Sequence, residues 1–266
     1  MSDYSKILSV EKTIIMRQCR ECSKRGDLIR DCAKNCYEHY ASYVHMAYAN
    51  IHRELWDLEL SDFNTGSKHA DESKARGEVL KTVQLYVDHL NNAYERGLGL
   101  VLYGPHGTGK SMLMACIIKA ALKSGKKAII RDFADIVNII RKGYRIDEEA
   151  VDLDREFEDT DFYCVENFGI NQFLQAVDKN AVPTTFRGPD YITREIARLF
   201  DKRRRIMLPS LITTYFNLDV LAKAQDDEGR QLLSTFYGKS ENLFVPGDDY
   251  RKSVMKHSWK KNLVAK

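Results

Sequence analysis

The sequence has no apolar run long enough to span a membrane, and its N-terminus lacks the apolar core of a secretory signal peptide. It also lacks a strong excess of either charge, because 41 Lys and Arg residues stand against 38 Asp and Glu residues. We see no internal repeat and no low-complexity segment. These absences argue against a membrane partner, and we expect a cytoplasmic globular protein whose overall charge does not indicate what it binds.

One segment matches the phosphate-binding loop pattern G-x-x-x-x-G-K-[ST] at every fixed position. Its residues are Gly104, Pro105, His106, Gly107, Thr108, Gly109, Lys110 and Ser111. An apolar run over residues 98–103 predicts a buried strand before the segment, and residues 112–123 predict a helix after it. In that order, backbone N–H groups and the positive end of the helix can surround a phosphate.

The loop therefore predicts a nucleoside triphosphate site. In this pattern Lys110 reaches the β- and γ-phosphates, and the Ser111 hydroxyl ligates Mg²⁺. The alternative is a glycine-rich turn that merely joins a strand to a helix, and the complete pattern in this context disfavours it.

Four of the six cysteines lie in one short window, as Cys19, Cys22, Cys32 and Cys36. Two thiolate pairs joined by a short loop can close a tetrahedral Zn²⁺ site, and His39 is near enough to replace one thiol. Two alternatives stay open: small apolar residues packed on helices, or an iron–sulfur cluster. We favour zinc, in a small module that needs its metal to fold.

The rest of the chain alternates between predicted strands and helices. Strands are expected at residues 98–103, 127–131, 161–167, 208–216 and 242–245, and helices at 72–96, 112–123, 133–144, 191–205 and 218–237. The acidic stretch over residues 148–161 is expected to be exposed. The third strand ends in Glu166, a carboxylate suited to the magnesium shell. This alternation predicts an α/β sandwich around a mainly parallel, five-stranded sheet.

Residues 50–252 resemble the DnaC/DnaI helicase loaders and the IstB-like transposition helpers, a clade of AAA+ ATPases. The shared elements are the loop with its preceding tyrosine (residues 103–111), the strand segment 161–169, the segment 209–214, and Gly247-Asp248-Asp249-Tyr250-Arg251 after the last strand. The resemblance implies a P-loop AAA+ three-layer sandwich that binds ATP and Mg²⁺. It implies nucleotide contacts from the loop, from Met112 and from Arg251, and magnesium ligation by Ser111 and Glu166.

The resemblance also implies how the chain is organised. A cysteine-rich, partner-binding module is expected over residues 1–47, and a linker with a helical lead-in over 48–97. The AAA+ core is expected over 98–252, followed by a basic tail over 253–266. Some loaders of this clade carry an N-terminal zinc module that touches the helicase.

The chain departs from the clade at positions that serve hydrolysis. Glu166 and Asn167 stand where an Asp followed by an acid is usual, and an amide cannot act as a general base. Tyr215 replaces a sensor asparagine, with Asn217 two residues later. The inter-subunit arginine is expected near residue 235, whereas the nearest arginine is Arg230. We therefore expect ATP to bind well and to be hydrolysed slowly or not at all.

We favour a nucleotide-controlled loader that binds a hexameric replicative helicase and single-stranded DNA, and that assembles as a homo-oligomer. The alternative is an IstB-like regulator of transposition that assembles on duplex DNA and recruits a transposase. A general ATPase or kinase is disfavoured by Asn167. Two basic clusters are candidate DNA contacts or solvated faces. They are the run Lys202-Arg203-Arg204-Arg205 and the tail with Arg251, Lys252, Lys256, Lys260, Lys261, Lys266, His257 and Trp259.

Overall fold

The computed structural model describes residues 36–67, 69–143, 152–169, 190–219 and 233–251. The chain divides into two compact units, residues 1–57 and 58–266. In the first unit, helix α1 (Cys36–Tyr48) is followed by a 3₁₀ turn (Arg53–Leu55). Trp56 is buried there and donates a hydrogen bond from Nε1 to the carbonyl of Ile51 at 2.8 Å.

The second unit begins with a 3₁₀ turn (Leu60–Asp62) and then alternates between helices and strands. The helices are α2 (Ala70–Asp88), α3 (Leu90–Arg96), α4 (Lys110–Lys123), α5 (Phe133–Gly143), α6 (Leu153–Asp159) and α7 (Asp190–Arg205). The strands are β1 (Gly99–Tyr103), β2 (Ala128–Asp132), β3 (Phe162–Phe168), β4 (Ser210–Thr214) and β5 (Ser240–Phe244). Each predicted strand is present, within two residues of its expected start.

The five strands form one sheet in the order β2-β3-β4-β1-β5, and every pairing is parallel. The prediction of an α/β fold around a parallel, five-stranded sheet is confirmed. Because all strands run the same way, their carboxyl ends meet at one edge. The loop after β1 leaves that edge between the ends of β4 and β5, and the end of β3 lies one strand beyond β4.

Helices cover both faces of the sheet. On one face, α5, α6 and α7 pack against inward side chains of β1, β3 and β4, such as Val101, Val165 and Ile212. On the other face lies α4, with Leu113, Met114 and Ile117 fully buried, and α2 packs against α4. This three-layer arrangement explains why β1, β3 and β4 are almost entirely buried, since both of their faces are covered, whereas the edge strand β5 is largely exposed.

Two expectations from the sequence were wrong in detail. The helix expected over residues 72–96 is two helices, α2 and α3, separated at His89. The acidic stretch expected to be exposed contains α6, whose Leu153 and Phe157 are buried in the core. Apolar residues one helical turn apart carry that helix into the core, while its carboxylates remain outside.

Candidate functional site

The predicted phosphate loop lies between the end of β1 and the start of α4. Gly104, Gly107 and Gly109 all have positive φ angles, of 141°, 73° and 102°. Gly109 is the N-cap residue of α4, so the loop runs directly into the positive end of that helix. These conformations favour glycine, and they turn the backbone of the loop into a concave cradle.

Lys110 lies within the cradle. Its Nζ donates hydrogen bonds to the carbonyls of Gly104 at 2.8 Å and Pro105 at 2.5 Å. Burial, followed by the positive charge of Arg251, lowers the pKa of Lys110 to about 8, and the carboxylate of Glu166 acts in the opposite direction. The ammonium group is therefore held by two neutral carbonyls, which the oxygens of a phosphate can replace.

A buried arginine from α2 supports the loop from behind. Arg76 is 6% exposed and donates to the carbonyls of Asn64 at 2.7 Å, Thr108 at 3.1 Å and Pro246 at 2.6 Å. Its guanidinium lies 4.5 Å from the ring centroid of Phe63. Arg76 thereby joins the segment before α2, the phosphate loop and the segment after β5. Sequence reasoning missed it, because a single arginine in a helical pattern carries no signal.

The segment after β5 closes against the loop. Tyr250 donates from its backbone N–H to the carbonyl of Gly107 at 3.0 Å. A Cβ atom on Gly107 would lie only 1.7 Å from Oδ1 of Asp249. That same carboxylate oxygen accepts bonds from N and Nε of Arg251, at 3.1 and 3.2 Å. Arg251, predicted to contact nucleotide, is thus held beside the loop, and its charge lowers the pKa of both Lys110 and His106.

The second predicted element, the end of β3, lies two strands away. Glu166 is 6% exposed, and its negative charge is near enough to raise the pKa of Lys110. Ser111 is in the first turn of α4 and is half-buried. A serine hydroxyl and a carboxylate are oxygen ligands of the kind that Mg²⁺ prefers, so these two residues fit the predicted magnesium site.

Asn167 leaves the strand geometry of β3. Its φ angle is 57°, and the ladder between β3 and β4 is irregular between Val165 and Phe168. Its backbone N–H donates to Oγ1 of Thr213 at 3.1 Å, and its Nδ2 donates to Oδ2 of Asp132 at 2.6 Å. Sequence reasoning missed Asp132 too, although it directly follows the strand predicted over residues 127–131 and is the last residue of β2.

An aromatic pair occupies the position expected for a sensor. Tyr215 follows β4, and its ring stacks on His106 of the phosphate loop at a centroid distance of 5.0 Å. Burial, followed by the charges of Lys110 and Arg251, lowers the pKa of His106. Asn217 uses its Oδ1 to accept a bond from the backbone N–H of Asp219 at 2.9 Å. The side-chain oxygen of Asn217 is therefore used in a local turn.

The basic run at the end of α7 is not the uniform surface patch that the sequence suggested. Arg203 is fully buried, and its guanidinium donates to the carbonyls of Phe157, Thr160, Asp161 and Pro209. The prediction that Arg203 is a candidate DNA contact was therefore wrong, because its side chain is not at the surface. Its three neighbours are paired with acids: Lys202 with Asp154 and Glu158, and Arg204 and Arg205 with Asp201.

Other predicted residues lie outside the described part of the chain. These are Cys19, Cys22, Cys32, Arg230 and the tail beyond residue 251. Cys36 is the first residue of α1. The zinc site and the contribution of Arg230 therefore stay predictions. Across the described ranges, no group of three or more His, Cys, Asp or Glu side chains could hold a metal ion. No helix in those ranges is long and apolar enough to cross a bilayer.

Solved structures with the same fold cover about three quarters of this chain. The DnaC helicase loader superposes with a TM-score of 0.56 at 17% identity, covering 73% of this chain and 100% of that one. DnaI gives 0.54 at 17% identity, covering 75% and 94%. AMPPCP-bound DnaA from Aquifex aeolicus gives 0.53 at 15% identity, covering 81% and 58%. The chain therefore shares the fold of DnaC, DnaI and DnaA. The sequence matches no protein-family model and no curated protein.

Proposed function

We propose that this protein is an ATP-binding helicase loader, a nucleotide-controlled switch in DNA replication that hydrolyses ATP slowly. The proposal rests on a contrast at the carboxyl edge of the sheet, between residues suited to binding ATP and residues unsuited to hydrolysing it. The phosphate loop matches its pattern at every fixed position, and it holds Lys110 against the carbonyl of Gly104, with Arg251 nearby. The neighbouring strand ends carry an amide, Asn167, and a stacked aromatic, Tyr215, where hydrolysis needs an acid and a polar sensor.

In this proposal the loop N–H groups and Lys110 bind the β- and γ-phosphates, and Ser111 and Glu166 hold Mg²⁺. Arg251, oriented by Asp249, adds positive charge at the phosphates. A site that binds ATP without rapid turnover suits a switch, because a switch requires a difference in affinity between two states and not a high rate.

The assignment to helicase loading is supported by the fold shared with the DnaC helicase loader and with DnaI. We propose that the cysteine-rich module over residues 1–47 holds zinc and binds a hexameric replicative helicase. The AAA+ core over 98–252 would assemble with further copies on single-stranded DNA. The lead-in over 48–97 would connect them, and the tail over 253–266 would add basic charge near the DNA.

The nucleotide part of the proposal is tested by calorimetric titration with Mg-ATP and by a steady-state phosphate-release assay. Lys110→Ala should weaken ATP binding at least about a hundredfold, because a charge-assisted contact to phosphate is lost. Lys123→Ala is the matched control, since Lys123 is exposed in the last turn of the same helix. A wild-type turnover above about 1 s⁻¹ per subunit would contradict slow hydrolysis.

The partner is tested by native mass spectrometry of the protein mixed with its host's replicative helicase, with and without Mg-ATP. We expect a defined complex that is lost when Cys19 and Cys22 become Ser, and a protein mass that includes zinc. If no complex forms in any nucleotide state, the loader proposal fails. The next partner to test would then be a transposase bound to duplex DNA.

A further inference from the structure

The third residue of the phosphate loop, His106, stacks on an aromatic ring that directly follows β4. The rings of His106 and Tyr215 are nearly parallel, with 27° between their planes and 5.0 Å between their centroids. Phe216 packs edge-on against Tyr215 at 4.9 Å. Both stacked side chains are exposed, Tyr215 to 40%. We name His106 and Tyr215 the histidine–tyrosine stack.

Backbone contacts fix the place of this stack at the edge of the sheet. The N–H of Gly104 donates to the carbonyl of Thr214 at 3.3 Å, which joins the first residue of the loop to the last residue of β4. The N–H of Phe216 donates to Oγ1 of Thr214 at 3.4 Å. Because β4 lies between β1 and β3, His106 lies on the side of the loop towards the strand that carries Glu166.

Charged groups from two other elements act on the imidazole. Burial contributes most to lowering the pKa of His106, followed by the positive charges of Lys110 at the start of α4 and Arg251 after β5. The carboxylate of Asp249 acts in the opposite direction. The ordinary pKa of histidine is about 6.5, so the lowered pKa leaves the imidazole mainly neutral at about pH 7 before nucleotide binds. Lys110 and Arg251 are also the two cations that we assign to the phosphates.

A bound terminal phosphate reverses this balance at His106. Its negative charge offsets the two cations and favours the protonated imidazole, in which both ring nitrogens are hydrogen-bond donors. Magnesium bridges the β- and γ-phosphates in sites of this kind, and Glu166 is its proposed ligand on the same side of the loop. The γ-phosphate is therefore the part of the nucleotide that His106 is placed to contact, and ADP lacks it.

We propose that His106, held by Tyr215, is a further phosphate-binding residue that makes the site prefer ATP to ADP. This role rests on the proposed ATP binding at the phosphate loop. When ATP binds, the imidazole takes a proton from solvent and donates a hydrogen bond to an oxygen of the γ-phosphate. Tyr215 is a positioning residue, because its ring fixes the plane of the imidazole. The preference supplies the difference in affinity between two nucleotide states that a switch requires.

Calorimetric titration of the whole chain with Mg-ATP and with Mg-ADP measures both Kd values. Repeating it at about pH 7 in buffers of different ionisation enthalpy gives the number of protons taken up. In the wild type, ATP binding should take up at least about half a proton more than in His106→Gln, which keeps a donor but cannot be protonated. Proton exchange by the nucleotide itself is common to both proteins. His106→Gln should also lower the preference for ATP about tenfold, since a charge-assisted hydrogen bond is lost, with the Kd for ADP within about twofold.

Two variants of Tyr215 test its positioning role. Tyr215→Leu removes the ring and should lower the preference for ATP at least about threefold, together with the additional proton uptake. Tyr215→Phe keeps the ring and should retain both.

Matched controls are available for both members of the stack. Tyr237→Leu removes a tyrosine that is also 40% exposed and that donates to Asp219 in the segment after β4. His89→Gln removes an exposed histidine between α2 and α3, and α3 leads to the start of β1, whereas the phosphate loop leaves its end. Both controls should keep the wild-type preference and proton uptake.

If His106→Gln binds ATP and ADP as the wild type does and takes up as many protons, the inference is overturned while ATP binding stands. The same holds if either control lowers the preference as much as His106→Gln. An unchanged Tyr215→Leu would overturn the positioning role. A wild type that binds neither nucleotide would overturn the proposed function and this inference with it. Urea unfolding checks that each variant is folded, and His106→Gln decides the outcome if Tyr215→Leu is unstable.

Discussion

Replacement of Arg76 tests whether the phosphate loop is held from behind. The guanidinium donates three hydrogen bonds to carbonyls in three separate segments, at 2.7, 3.1 and 2.6 Å. It is 6% exposed and lies over the ring of Phe63. Arg76→Met keeps an apolar side chain of similar length but removes every hydrogen-bond donor. Three carbonyls then lose this partner, and one of them, the carbonyl of Thr108, belongs to the phosphate loop.

The loss of stability expected for Arg76→Met follows from the three hydrogen bonds that the variant removes. A hydrogen bond from a charged donor contributes about 1.5–3 kcal/mol, and the lower end gives about 4.5 kcal/mol for three bonds. Freeing the carbonyl of Thr108 loosens the loop before nucleotide arrives. A cost of about 1.4 kcal/mol for re-ordering it on binding corresponds to an affinity for ATP about tenfold weaker.

Urea unfolding and calorimetric titration with Mg-ATP measure the two effects separately. Arg76→Lys should be intermediate, because one ammonium group cannot serve three carbonyls that lie in different directions. Lys81→Met is the matched control on the same helix: the Lys81 side chain is 74% exposed and pairs only at the surface with Glu78, so stability should change by less than about 0.5 kcal/mol. Arg76→Met with less than about 1 kcal/mol of destabilisation and unchanged ATP affinity would refute the reasoning.

Three further predictions concern packing and charge. Gly107→Ala should weaken ATP binding at least about tenfold in the same titration, because its Cβ would lie 1.7 Å from Oδ1 of Asp249 and its φ angle is 73°. Arg203→Met should lower the free energy of unfolding in urea by about 6 kcal/mol, since four buried carbonyls lose a charged donor worth about 1.5 kcal/mol each; an unchanged value would contradict this. The pKa of Asp154 is lowered to about 2, chiefly by hydrogen bonds from Arg198. Its contribution to stability is therefore fully present above an unfolded-state pKa of about 3.9 and is lost as the pH falls through 2. Asp154→Asn should cost less than about 1 kcal/mol in urea at pH 7, because the carboxylate is partly exposed, and progressively less as the pH falls through 2.

The sequence by itself determined the elements whose signals are local. A phosphate loop has fixed residues at fixed spacing, because its backbone must turn around a small anion, and glycines at 104, 107 and 109 adopt positive φ angles as that requires. Short apolar runs predicted the strands of the sheet, and they are longest in the strands that helices cover on both faces, such as β1 and β3. Glu166 was also recognisable, as an acid at a strand end.

Tertiary structure decided the partners of side chains whose neighbours are distant in the chain. Arg203 is one case. It belongs to a run of four basic residues that resembles a surface patch, yet its guanidinium is buried and donates hydrogen bonds to four carbonyls. Arg76 is another, because the carbonyls of Thr108 and Pro246 come within its reach only after the sheet has formed.

The same distinction separates Asn167 from its hydrogen-bond partner Asp132. The amide at Asn167 could be noted from the sequence as a departure from an acid. That its partner is Asp132, 35 residues earlier, depends on the parallel pairing of β2 with β3 and on a local irregularity in β3. Spacing along the chain predicts which backbone shapes form, whereas the meeting of two strand ends depends on strand order and register, which no local pattern encodes.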